Sequence, residues 1–306
     1  MSTAPVSPPQ RRLDLRRVLT ALNRLAAADA PPWLHGEVAR RMAERLEIIK
    51  RRPAVVLDWW AFAGAGAELI ARTYPDARRV AVEPTEALRE RARRPAGGLR
   101  WPWSRAPKVD VTGPDDLPAA GAELVWANMM LHGTADPTQT IARWHHALAV
   151  EGFVMFSCLG PDTLRELRDL YAALGWPPAM AEFVDMHDLG DMLVHAGFAD
   201  PVMDQETLRL SWADAEALLA ELRGLGGNAS PERFAGLHTP RWRARLVQAL
   251  EERLRGPDGR LHLRFEVAYG HAFKVAPKVK VAPETRVSLD DMRNLVRQRD
   301  TPGSPG

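Results

Sequence analysis

The sequence predicts an α/β protein: a mostly parallel sheet with helices on both faces and helical insertions late in the chain. Three observations predict it. Short apolar runs of strand length alternate with segments of helical period. The runs at 54–58, 79–83, 122–128 and 152–157 hold few polar residues inside, as strands buried on both faces do. The first three end in Asp58, Glu83 and Asn128, polar groups at the carboxyl ends where open parallel sheets bind ligands.

The elements follow in order. Residues 1–10 are rich in Pro and Ser and read as a flexible tail. From 11 to 28, Leu15, Val18, Leu19, Leu22 and Leu25 recur at helical spacing until Pro31-Pro32 breaks the pattern. A second amphipathic helix spans 34–51, with Val38, Met42, Leu46 and Ile49 on one stripe and Pro53 as its stop. Helices are predicted from about Gly66 to Tyr74, at 84–94 and at 138–148, between the apolar runs. Beyond Leu164 the chain reads as more helical: 164–174, 189–196, 213–225 and 241–254, with a loop at 232–236 and a late strand at 262–269. The domain therefore spans 11–273, with a helical lid insertion at about 164–254 and a Lys/Pro-rich tail at 274–306 that holds a short helix near 289–298.

Composition excludes several classes. A 46% hydrophobic, 26% charged chain of 306 residues is globular and long enough to bury a core. A net charge of +2, from 41 basic and 39 acidic side chains, gives no global field for nucleic acid or a membrane surface. No apolar run spans a bilayer. The single cysteine, Cys158, excludes a disulfide framework and a Cys-based zinc site. The histidines show no ligand spacing, so no metal is expected. With no secretory leader pattern, the expected compartment is the cytoplasm.

The strand ending in Asp58, a loop with Gly64 and Gly66, and a helix form a strand–turn–helix unit. Glu83 at the next strand end is placed to accept from both hydroxyls of a ribose, and Asn128 reaches the same crevice. A plainer reading stays open, in which the glycines only turn the chain and Glu83 is a solvated strand-end acid.

Leu57-Asp58, Glu83-Pro84, the run Glu123-Leu124-Val125-Trp126-Ala127-Asn128 and the Glu151-Gly152 turn resemble class I S-adenosylmethionine-dependent methyltransferases. Gly160-Pro161-Asp162-Thr163-Leu164-Arg165-Glu166-Leu167, Ala196-Gly197-Phe198-Ala199-Asp200-Pro201 and Tyr269-Gly270-His271-Ala272-Phe273 are more specific. Together they resemble the biotin-pathway malonyl-acyl-carrier-protein O-methyltransferases, over residues 34–273. The resemblance implies a seven-stranded, Rossmann-like sheet, S-adenosylmethionine as cofactor at Asp58, Gly64, Glu83 and Asn128, and methylation of the free malonyl carboxyl on acyl carrier protein. The protein is expected to act as a monomer. A carboxylate is already a nucleophile at neutral pH, so catalysis would rest on positioning and desolvation, and no catalytic side chain is singled out.

The sequence departs from that family in three places. The family pattern after the first strand sets three glycines at alternate positions. The 58-to-83 spacing aligns them with Trp60, Phe62 and Gly64, so two large rings stand where the backbone should be bare. An acid for the adenine amino group is not evident, since Asp110 is early and Asp115 and Asp116 are close to Leu117-Pro118. No Tyr precedes Tyr74, where the family has one between its first helices.

For the substrate, Arg165 is placed to pair with a malonyl carboxylate and His271 to donate to a carbonyl. The alternatives are an exposed ion pair with Glu166 or Asp169 and a packed histidine. Arg168 reads as helix surface and Cys158 as core. Trp101 and Trp103 read as a loop anchor. Basic runs at 40–41, 51–52, 89–94 and 241–245 suit an acidic carrier protein or are ordinary solvated helix faces. Two other functions stay open: a non-catalytic protein that keeps the fold without the cofactor, and a methyltransferase with another acceptor.

Overall fold

The computed structural model describes residues 12–94 and 109–276. The tryptophans at 101 and 103, both terminal tails and the helix expected near 289–298 lie outside them. The described residues up to Val275 form one compact unit.

Helices α1 (Leu15–Ala26) and α2 (Trp33–Leu46) come first. Asp14 caps α1 by accepting from the Arg17 amide, so one orphan donor is satisfied. Helix α2 ends at Leu46, short of the expected 51, and the chain then turns toward Pro53. Strand β1 (Val55–Trp59) leads into a single short helix, α3 (Ala61–Gly64), and then α4 (Ala67–Thr73). Strand β2 (Arg78–Val82) and α5 (Glu86–Arg93) follow, with Thr85 capping α5. After β3 (Asp110–Thr112) and β4 (Ala122–Ala127) comes a 3-10 turn at Leu131–Gly133. Asp136 and Pro137 then start α6 (Pro137–Ala147), a cap and a first-turn proline together. The chain continues through β5 (Leu148–Leu159), α7 (Arg165–Ala173), α8 (Met186–His195), β6 (Ala199–Trp212), α9 (Ala215–Gly224), α10 (Pro240–Leu254) and β7 (Leu261–Phe273).

The strands form one seven-stranded sheet in the order β3-β2-β1-β4-β5-β7-β6. Pairings from β3 across to β5 are parallel, and β7 runs antiparallel between β5 and β6. The order reverses at β1, whose neighbours are β2 and β4, so the crevice opens at the carboxyl ends of β1 and β4. The central strands are buried on both faces, which explains their unbroken apolar runs. On one face Val56, Leu124 and Trp126 share an apolar cluster with residues of α2 and α10, and on the other Val125 and Phe156 share one with Trp144 of α6 and Leu189 and Leu193 of α8.

Two strands depart from the reading of the sequence. The three-residue β3 is too short to show a period. Strand β6 runs for 14 residues inside the span expected to be a helical lid, so the lid helices past it are α9 and α10 alone. At the sheet's far edge, β5 ends where Leu159 pairs with Val267, but β7 starts at Leu261, opposite Trp212. The outer part of β6 and β7 is thus a two-stranded ribbon projecting about 20 Å beyond β5 and leading into α9 and α10.

The Tyr269-Gly270-His271 stretch has a packing reason for its glycine. A Cβ on Gly270 would collide with the Phe156 ring and sit 2.9 Å from Met203 Sδ. Gly270→Ala is expected to lose about 1–3 kcal/mol through overpacking, measured by urea unfolding.

Candidate functional site

Asp58, Glu83 and Asn128 are all buried and stand at the carboxyl ends of β1, β2 and β4, as the sequence predicted. Asp58 Oδ2 accepts from Arg79 Nη1 at 2.7 Å, while its other oxygen has no hydrogen-bond partner among the described residues. Burial pushes the Asp58 carboxyl up, against the downward pull of Arg79. Glu83 Oε1 accepts from the Phe62 amide at 2.8 Å, and its Oε2 likewise has no partner among the described residues. Burial raises Glu83 to about 7, with the Phe62 amide pulling down and the Asp58 charge pushing up.

Asn128 points inward. Its Nδ2 donates to the carbonyls of Gly64 at 2.7 Å and His35 at 2.8 Å, and its Oδ1 accepts from Ser157 Oγ at 2.6 Å. His35, on α2, donates through Nδ1 to the Ala63 carbonyl at 2.7 Å. Burial holds its pKa down to about 4, so the ring is neutral. His35 escaped the sequence reading, since one histidine on an apolar helix stripe carries no distinguishing signal.

The loop after β1 is closed on itself. Trp60 adopts a left-handed conformation, φ 55° and ψ 50°, which favours glycine. Its amide donates to the Val82 carbonyl, and its carbonyl accepts from Gly64 at 2.7 Å. The indole lies toward the turn after β4: its Cη2 is 3.0 Å from the place a Cβ on Gly133 would take. The Phe62 ring lies 3.8 Å under the Arg91 guanidinium, which also donates to the Ala26 and Asp29 carbonyls beyond α1. Gly64 makes a close approach, with its ideal Cβ 3.2 Å from the Asn128 carbonyl oxygen. At Gly66 a Cβ would collide with the Trp126 indole, so this glycine serves packing on β4.

The two expected substrate residues stand on different elements, α7 and β7. Arg165 begins α7, exposed, with Nη1 3.7 Å from Asp162. His271 pairs with Met155, which is level with Trp126 and through it with Asp58, so it stands on the rung of Asp58 two strands out from β4, and it meets Phe273 edge-on. Arg168 donates to the Pro161 carbonyl, and Cys158 is buried. Many basic side chains of the runs are in ion pairs: Arg40 with Glu37, Arg41 with Glu206, Arg51 with Glu151, Arg243 with Glu216. A second cavity, of about 520 Å³, lies between α1, α7 and α10, lined by Arg17, Tyr171, Trp176, His238 and Trp242. No helix among the described residues is long and apolar enough to cross a membrane.

The strand order, the reversed last strand and the strand-end acids define a class I methyltransferase fold. The YcgJ protein of Bacillus subtilis shares it: TM-score 0.52 at 12% identity, covering 78% of this chain and 99% of that one. No protein-family model matches the chain. A malonyl-[acyl-carrier protein] O-methyltransferase of Laribacter hongkongensis is 38% identical over 290 residues, 92% of this chain and 95% of the relative. One from Gallionella capsiferriformans is 36% identical, covering 87% of this chain and 93% of the relative. The chain belongs to the malonyl-[acyl-carrier protein] O-methyltransferase family.

The family implies S-adenosylmethionine, and Asp58, Glu83 and Asn128 stand at the strand ends that would hold it, with the loop after β1 closed on itself beside them. Glu83 keeps one unshared oxygen, as a ribose-binding acid would, but that oxygen is fully buried. The Trp60 indole reaches the Gly133 turn after β4, and the loop amides of Phe62 and Gly64 are already used.

Removing the Asn128 carboxamide leaves two carbonyls and a hydroxyl short of partners. Asn128→Ala is therefore expected to cost roughly 3–5 kcal/mol in denaturant unfolding. Glu83 gives a pH signature. Its folded value near 7 lies above the ordinary 4.5, so the native state holds the proton longer than the unfolded chain, and stability falls as pH rises through that window. Glu83→Gln keeps an acceptor for Phe62 without the buried charge. Between about pH 5 and about pH 8, the stability difference is expected to move in favour of the variant by roughly 1–3 kcal/mol, read from melts at both pH values.

Proposed function

We propose that the protein methylates the free carboxyl of a malonyl thioester on acyl carrier protein, in biotin synthesis, with S-adenosylmethionine as donor. The observation that carries this is the extent of the likeness: a 38% identical relative of that name, matched over 95% of its length. Asp58, Gly64, Glu83 and Asn128 frame the donor crevice in this reading. Methyl transfer to an ionised carboxylate needs no general base, so the protein's task is to orient the acceptor and exclude water. Burial of Asp58, Glu83 and Asn128 gives the dry floor that such a reaction uses.

The aromatic cavity between α1, α7 and α10 is the candidate channel for the carrier's thioester-bearing arm, with Arg17 at its wall. Arg165, held only by an exposed pair with Asp162, is the candidate partner for the malonyl carboxylate. His271 takes a packing role in this reading, edge-on against Phe273 and three strands away from β1. The protein works as a cytoplasmic monomer that meets the acidic carrier through residual basic surface such as Arg245, which lies over the Trp176 ring.

A second reading, a non-catalytic member that has kept the fold, is favoured by one observation: Trp60 and Phe62 stand at the glycine positions of the loop. Incubation with malonyl-acyl-carrier protein and S-adenosylmethionine separates the two. Intact-mass spectrometry is expected to show the carrier gaining one methyl group. An unchanged carrier mass together with failure to restore growth of a biotin-requiring methyltransferase mutant would defeat the catalytic reading.

A further inference from the structure

We infer that Trp60 is an internal occupant of the nucleoside crevice, a gate that must swing out before the donor enters. The inference rests on the proposed function only in taking the ligand to be a sulfonium nucleoside.

Several independent features converge on this residue. The crevice is fixed by topology, at the ends of β1 and β4 where the strand order reverses. Trp60 is the first residue after β1, and its indole crosses to the 131–133 turn that follows β4. Gly133 is what admits it: a Cβ there would lie 3.0 and 3.1 Å from two ring carbons. The ring is partly buried against the apolar cluster that holds Leu57, Val125, Met130 and Leu131, so swinging it out exposes apolar surface.

The backbone that carries the ring is strained. A φ of 55° is disfavoured for a residue with a side chain, and such strain persists only where surrounding contacts hold it. Here the contacts are the Val82 carbonyl on the Trp60 amide and the Gly64 amide on its carbonyl. Phe62 adds a second clamp. Its amide is spent on Glu83, and its ring is pinned by Arg91, itself tied to the end of α1. One feature of the closed state points to a missing ligand. Glu83 Oε2 is buried with no partner among the described residues, at the strand end where a ribose hydroxyl would donate.

In this arrangement the donor competes with a side chain. Its affinity is lowered by the cost of exposing the ring, and removal of the ring returns that cost. A glycine at position 60 suits the left-handed backbone, so Trp60→Gly relieves strain as it opens the crevice.

The test is isothermal titration of wild type, W60G and W60A with S-adenosylhomocysteine, with far-UV circular dichroism to confirm that each is folded. The gate predicts a dissociation constant roughly 10- to 100-fold lower in W60G than in wild type, with W60A between them. If wild type and both folded variants bind alike, the gate is overturned and the methyltransferase reading stands. If none of the folded proteins binds, both the gate and the donor assignment are overturned. Should W60G fail to fold, W60A alone decides between a gain in affinity and none.

Discussion

One buried carboxamide holds the candidate site together. Asn128 binds the carbonyls of α2 and α3 with its two N–H groups and takes the Ser157 hydroxyl on its oxygen, joining a helix, a loop, β4 and β5 at one point. Inside a protein, such a network is stiff when every member is satisfied. The neutral His35 adds a second tie from α2 to the same loop, at the Ala63 carbonyl. With both ties made, the loop after β1 cannot lift as a whole. Movement in the crevice is left to side chains, and the Trp60 ring is the one that faces the gap.

The acids at the strand ends are managed in different ways. Asp58 keeps a cation, because Arg79 sits on the adjacent strand two rungs back and reaches it across the sheet. Glu83 keeps only a backbone amide, so burial dominates and its proton is held into the neutral range. A charged group would leave that position poorly solvated. A neutral one is tolerated, and the same oxygen is available to a hydroxyl donor.

Much of the fold was legible in the sequence, and the reasons are particular. Strands β1, β2, β4 and β5 are covered on both faces, so Val55-Val56-Leu57 or Leu124-Val125-Trp126 announce themselves without alternation. The edge strand β6 was not read, because Asp204, Gln205, Glu206 and Arg209 break up its apolar residues and it lies between helices. The strand-end positions of Asp58, Glu83 and Asn128 followed from the same runs. What those side chains touch did not, since Arg79, Ser157 and His35 arrive from other elements. The motif around His271 was visible, but its place was not: the last strand runs antiparallel between β5 and β6, which sets His271 on the rung of Met155 and Trp126. The glycine substitutions at 60 and 62 were plain in the sequence, whereas the direction of the indole depends on Gly133, more than 70 residues later.

The β6–β7 ribbon has a mechanical consequence. Beyond β5 the two strands have no third strand beside them, and Leu261, Leu263 and Phe265 are buried instead in the cluster that holds residues of α7, α9 and α10. The ribbon carries α9 and α10 on its tip, while the Asp14–Arg233 ion pair and the bond from the Asp14 amide to the Ala229 carbonyl tether the loop between those helices to α1. The tip of the ribbon is thus tied through Asp14 to the first helix of the chain, whose last residue the Arg91 contacts join to the Phe62 ring at the wall of the crevice.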